Sequence, residues 1–236
     1  MSQRPLIPGP ERSFGRRATF GLLLTAMAVR TWPATAQPDK QLPVPPGLSQ
    51  EEQRAVFALA MEDMFHDPAA PVLGNVQGDV TMVEFFDYRC PYCRMMAPRL
   101  MTLIGKDSGL RLVMKEYPVL SRESIVAAKV ALVAARHGVY APFHAAMFAL
   151  NGPFDEQKVM QVAQLVGLSP DVARQEMDDP ALTSELRRNL ALGRILGING
   201  TPAFVIGNGI LPGAVTIEDL EKLIAAQRRK TVGGKN

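Results

Sequence analysis

The chain alternates between short runs of β-branched and aromatic residues and longer stretches in which apolar residues return every three or four positions. Residues 80–86 give the clearest strand pattern, and 110–116 alternates well enough for a second strand, which Tyr117-Pro118 stops. A short edge strand is predicted over 72–76, with 75–79 turn-like. After Cys93 the spacing predicts a helix to about Ile104, bent at Pro98. From 121 to 196 the pattern is helical throughout, in segments near 121–137, 141–150, 155–166, 170–178 and 181–196. Gly138, Asn151-Gly152-Pro153, Gly167-Leu168-Ser169-Pro170 and Asp179-Pro180 separate them. A hairpin follows, with 203–206, the turn Gly207-Asn208-Gly209 and Ile210-Leu211. Thr216 with Glu218 and Asp219 opens a final helix.

Ahead of the first strand, Ser49-Gln50-Glu51-Glu52 reads as a capping box, and Asp67-Pro68 ends the helix it starts. Val56, Leu59, Ala60 and Met64, with Phe57, Met61 and Phe65, give that helix a broad apolar surface. Such a surface packs on its own domain or on another subunit. Residues 37–47 carry Pro38, Pro43, Pro45 and Pro46 and read as an extended linker.

The first 36 residues have a different character. Arg16-Arg17 precede an uncharged apolar stretch over 18–29, and Ala34-Thr35-Ala36 has the small-residue pattern of a cleavage site. The apolar run is too short to span about 30 Å of hydrocarbon, so a secretory signal cut after Ala36 is expected rather than an anchor. The paired arginines leave the Sec and Tat export routes both open.

Removing this segment changes the charge argument. The whole chain of 236 residues has a formal charge of +3, but the segment holds five arginines against one glutamate. The remainder carries 21 basic and 22 acidic residues, so composition gives no support for nucleic-acid binding. Arg228-Arg229-Lys230 reads as a solvated last helical turn.

The candidate chemistry lies in the two cysteines, Cys90 and Cys93, set between the strand at 80–86 and the helix after it. A chain of this size buries a full core without staples, so a single close pair points to a redox-active dithiol or half of a metal site. Zinc fits poorly, because His137 and His144 are seven residues apart. A reduced Cys90/Cys93 pair with Met95 or Met96 is a soft donor set suited to Cu(I), although these methionines equally fill core gaps or line a peptide groove.

The order strand, helix, strand, helical block, strand, strand, helix resembles a thioredoxin fold. Cys90-Pro91-Tyr92-Cys93 at a strand-to-helix junction, Thr201-Pro202 at the start of a later strand and Glu84 six residues before Cys90 together resemble the DsbA family of periplasmic thiol-disulfide oxidoreductases. Gly74-Asn75, Gly78-Asp79-Val80 and the run from Glu84 to Cys90 bring the likeness closest to the ScsC and Com1-like branch. The resemblance implies an α/β thioredoxin fold over 68–120 and 197–232, with a helical insertion over 121–196 between the second strand and the cis-proline strand. It also implies an N-terminal helical extension over 48–67, used for oligomerisation in isomerase-type members.

The resemblance further implies a cis peptide bond at Pro202, with Thr201 and Pro202 binding an extended client segment, and Glu84 as a buried carboxyl relaying the proton of Cys93. The plainer reading of Glu84 is an outward-facing strand residue. Lys115 is the candidate partner for its carboxyl, or else a solvated lysine. Independently, a cysteine at a helix N-terminus meets unpaired N–H groups and the positive dipole end, which stabilise the thiolate. Cys90 is therefore the expected nucleophile, acidic and reachable from solvent, with Cys93 the more buried resolving thiol. Pro91 and Tyr92 between them tune the potential, with fewer polar aids than the Pro-His pair of strong oxidases.

The expected activity is disulfide exchange with periplasmic client proteins, with a membrane protein recycling the dithiol and no organic cofactor or metal. The competing readings are an oligomeric disulfide isomerase or reductase and a Cu(I)-binding copper-tolerance protein of ScsC type.

Overall fold

The computed structural model describes residues 47–233. The expected signal over 1–36 and nearly all of the linker expected over 37–47 lie outside the described residues. The first element, α1 (Gln50–His66), starts at the capping box read from the sequence: Ser49 Oγ accepts from Glu52 N–H, and the Glu52 carboxyl accepts from Ser49 N–H at 2.7 Å. Next come β1 (Val72–Gly74), β2 (Val80–Phe86), α2 (Pro91–Lys106) and β3 (Leu110–Glu116). Five helices follow without an intervening strand: α3 (Arg122–Arg136), α4 (Tyr140–Ala149), α5 (Glu156–Leu165), α6 (Pro170–Glu176) and α7 (Pro180–Ile195). The hairpin β4 (Ala203–Ile206) and β5 (Gly209–Pro212) and then α8 (Ile217–Gly233) complete the order.

The sheet runs β1-β3-β2-β4-β5. β2 and β3 are parallel and need a crossover, which α2 supplies; the other neighbours are antiparallel. Both faces of these central strands are covered. On one face Val83, Phe85, Val113 and Tyr117 meet Met64 of α1 and Leu192 of α7. On the other, Met82, Phe86, Leu112 and Met114 meet Met96 and Leu100 of α2 and Leu220 and Ile224 of α8.

Double coverage makes alternation a poor guide to burial in these strands, and charged residues there are buried as well. The apolar face of α1 is used within its own domain: Ala60, Met61 and Met64 are buried, and the helix packs against α7 and β2. Leu59 is left outside, 70% exposed.

Two expectations change. Arg228 is not a solvated terminal cation but bridges Asp79, at 2.7 Å from Nε, and Asp107, at 3.0 Å from Nη2, tying α8 to the ends of the β1–β2 and α2–β3 connections. The hydrogen bonds that Arg228 donates to those two carboxylates raise its pKa still further. Lys115 pairs with Phe85 across the parallel ladder, so its side chain lies on the face opposite Glu84 and cannot be that carboxyl's partner. Fully buried, Lys115 instead donates to Asp67 at the C-cap of α1, and Arg188 of α7 donates to the same carboxylate at 2.6 Å. Burial disfavours the Asp67 carboxylate, yet hydrogen bonds and charge from Lys115 hold it below its ordinary range, helped by Arg188.

Candidate dithiol site

β2 ends at Phe86, and residues 87–89 turn the chain so that Cys90 becomes the N-cap of α2, with Pro91 at the first helical position. Proline suits that position because its absent N–H is one the helix could not have used. Cys90 Sγ takes the cap role itself, accepting from the N–H of Cys93 at 3.4 Å. Cys93, one turn further on, is fully buried.

From the other side the chain before β4 closes over the sulfur: the Cys90 S–H donates to the Thr201 carbonyl at 3.2 Å. The Thr201–Pro202 peptide bond is cis. Cys90 is consequently only 4% exposed, a correction to the open position expected for it, while Tyr92 beside it is 60% exposed and Met95 is also exposed.

The two sulfurs sit in opposite electrostatic conditions. A hydrogen bond from the Cys93 side chain, together with the Thr201 side chain and the N–H groups of Cys93 and Tyr92, outweighs burial and lowers Cys90 from 9.0 to about 6. Burial, the Cys90 hydrogen bond and repulsion from Glu84 push Cys93 far above the usual thiol range. Glu84 is 2% exposed, on the α2 side of the sheet with Met82 and Phe86, so it is not an outward-facing strand residue. Burial first, and then repulsion from Cys90, raise its carboxyl from 4.5 to about 8. The structure thus brings Glu84, Cys90, Cys93, Thr201 and Pro202 to one end of α2, with Pro91 and Tyr92 forming its exposed rim.

Sequence reasoning passed over the residues that anchor this turn. Tyr88, buried two places before Cys90, packs edge-on to Phe86 and Phe143, and its hydroxyl lies 3.4 Å from Glu116 Oε1 and 3.2 Å from His144 Nδ1. Tyr140 donates to the same Glu116 oxygen at 3.1 Å. Burial raises the Glu116 carboxyl well above its ordinary value and lowers His144 to about 3, disfavouring the charged form of each. Arg89 reaches the Phe154 carbonyl at 3.3 Å and Arg94 reaches that of Leu150, so the turn and α2 both grip the loop between α4 and α5. The available signal was Asp87-Tyr88-Arg89, three polar-tipped residues between a buried strand and a helix.

The DSBA-like thioredoxin domain family matches residues 81–225. The crystal structure of a thioredoxin-like oxidoreductase from Silicibacter pomeroyi DSS-3 is 40% identical, with a TM-score of 0.69 over 71% of this chain and 97% of that one. A periplasmic thioredoxin-like protein from Salmonella enterica serovar Typhimurium is 29% identical, with a TM-score of 0.67 over 72% of this chain and 97% of the other. For the catalytic domain of Proteus mirabilis ScsC the figures are 27% identity and a TM-score of 0.68, over 75% and 98%. Among curated relatives, the Na(+)/H(+) antiporter NhaA 3 of Salinispora tropica is 24% identical over 170 residues, which is 70% of this chain and 26% of that protein. The chain therefore spans about a quarter of that relative's length.

Proposed function

The chain belongs to the DSBA-like thioredoxin domain family, and from that premise we propose that it is a periplasmic thiol-disulfide oxidoreductase that exchanges disulfides with client proteins through Cys90 and Cys93. The observation that carries this reading is the placement of the two thiols: Cys90 Sγ caps α2 and accepts from Cys93 N–H at 3.4 Å, which favours its thiolate, while Cys93 lies fully buried one turn on, which favours its thiol. An acidic first sulfur is a good leaving group and nucleophile near neutral pH, and a protonated second one waits until a mixed disulfide forms.

In the oxidising direction a client thiolate attacks Cys90 Sγ and breaks the Cys90–Cys93 bond. The electron pair leaves on Cys93, which takes a proton from Glu84. A second client thiolate then attacks the client sulfur of the mixed disulfide, forming the client's disulfide and releasing Cys90 as thiolate. The client has lost two electrons and the dithiol has gained them. In reverse, the ionised Glu84 carboxylate accepts the Cys93 proton as that sulfur attacks Cys90 Sγ of the mixed disulfide, which breaks the Cys90–client bond and releases the client sulfur as thiolate. With its carboxyl raised to about 8, Glu84 carries a transferable proton at neutral pH.

Thr201 and Pro202 are the main-chain rail for an extended client segment, Pro91 and Tyr92 tune the dithiol, and a membrane protein recycles it. The export expected from residues 1–36 and the periplasmic relative support the location.

Iodoacetamide alkylation of the reduced protein against pH tests the proposal. Cys90 should react with an inflection near pH 6, and Cys90→Ser should abolish both this reaction and insulin reduction. Reactivity that rises only near pH 9, the ordinary thiol value, would overturn it. Comparing refolding of a scrambled multi-disulfide protein with insulin reduction then separates isomerase from oxidase or reductase behaviour.

A further inference from the structure

Asp87 directly follows β2 and opens the turn that delivers Cys90, and only 2% of it is exposed. Its Oδ1 accepts from the N–H of Arg89 and from the hydroxyl of Ser124, each at 2.7 Å. Its Oδ2 accepts from the N–H groups of Val119 at 2.9 Å and Leu120 at 3.0 Å. Its main-chain carbonyl accepts from the N–H of Cys90 at 3.0 Å. One residue therefore satisfies donors from two separate stretches, the turn before α2 and the β3–α3 connection with the first turn of α3, and among the described residues none of these partners is a cation.

The turn it fixes is the one that aims Cys90 Sγ at the first turn of α2. That sulfur accepts from Cys93 N–H at 3.4 Å, a contact long enough for a small rotation of residues 87–90 to weaken it. We propose that Asp87 is a positioning residue of the dithiol, locking this turn to the β3–α3 connection and thereby holding Cys90 Sγ against the N–H of Cys93. The proposal rests on Cys90 being the nucleophile.

Positioning and simple charge predict opposite effects, which makes the role testable. A negative group near Cys90 acting through its charge alone disfavours the thiolate, so its removal would make Cys90 more acidic. A group that aligns Cys90 with the helix N–H groups favours the thiolate, so its removal makes Cys90 less acidic.

The measurement is the pH profile of iodoacetamide alkylation at Cys90 in the full reduced protein, for wild type, Asp87→Ala, Asp87→Asn and Ser124→Ala, with thermal melting alongside. Asp87→Ala is expected to move the inflection upward by about one pH unit, so that near pH 6 alkylation slows about fivefold. Asp87→Asn, whose amide N–H₂ faces the N–H groups of Val119 and Leu120, should shift it less and in the same direction. Ser124→Ala, losing one of four bonds, should shift it least. If Asp87→Ala does not fold, the two near-isosteric variants decide.

Lower melting temperatures with an unmoved inflection would overturn the proposal, leaving Asp87 a purely structural residue. A downward shift would also overturn it, in favour of charge. A wild-type profile without the low inflection overturns the assignment of Cys90 itself, and this one with it.

Discussion

Replacing Glu84 by glutamine should make the protein more stable at high pH and leave it nearly unchanged at low pH. Glu84 is buried on β2, and burial, with Cys90 repulsion second, raises its carboxyl from 4.5 to about 8. A carboxyl raised in the folded state favours folding while it is protonated. That contribution is complete below 4.5 and is lost as pH climbs to about 8. At about 1.4 kcal/mol per pH unit, the gap corresponds to at most about 5 kcal/mol, a large part of the roughly 5–15 kcal/mol that holds a domain together.

Glutamine has the same shape and never ionises, so Glu84→Gln removes the pH dependence. Urea unfolding with the Cys90–Cys93 disulfide closed keeps both sulfurs from titrating and isolates burial as the cause. Near pH 4 the variant should match wild type to within about 1 kcal/mol, and near pH 9 it should exceed it by about 3–5 kcal/mol. An equal difference at the two pH values would refute the reasoning, because it would mean that Glu84 does not titrate between them in the folded protein.

The other buried charges and contacts give further expectations. Asp67→Asn strips the partner from fully buried Lys115 and should cost about 3–5 kcal/mol in denaturant unfolding, most of it recovered when Lys115→Met is added. An additive double variant would refute that coupling. Gly193→Ala places a Cβ 2.5 Å from the Tyr117 ring, which is anchored by its hydroxyl to the Ile198 carbonyl at 3.1 Å. The variant should lose about 1–3 kcal/mol in thermal or denaturant unfolding, and an unchanged stability would show that the ring swings aside freely.

What could be read from the sequence was what short stretches decide. The caps at Ser49 and Thr216 lie within three residues of the groups they satisfy. The hairpin turn at 207–209 and the cysteine spacing at the head of α2 are equally local. Helical periodicity placed the five-helix block for the same reason: each signal needs only its own neighbours on the chain. The resemblance to the family rested on Cys90-Pro91-Tyr92-Cys93, Thr201-Pro202 and Glu84, and the family match over residues 81–225 bears it out.

The sequence by itself thus determined the elements, their order and the kind of chemistry, since propensity, capping and the position of a thiol at a helix start are properties of a few adjacent residues. Only the tertiary structure decided where the charged residues face and what they touch. In central parallel strands both faces are buried, so adjacent Lys115 and Glu116 go to opposite interiors, one to Asp67 and the other to two tyrosines. Asp87 finds donors 32, 33 and 37 residues away, and Cys90 is covered by a carbonyl 111 residues on. Such partners are chosen by strand register and helix docking, which minimise unpaired polar groups over the whole fold and leave no mark in the local pattern.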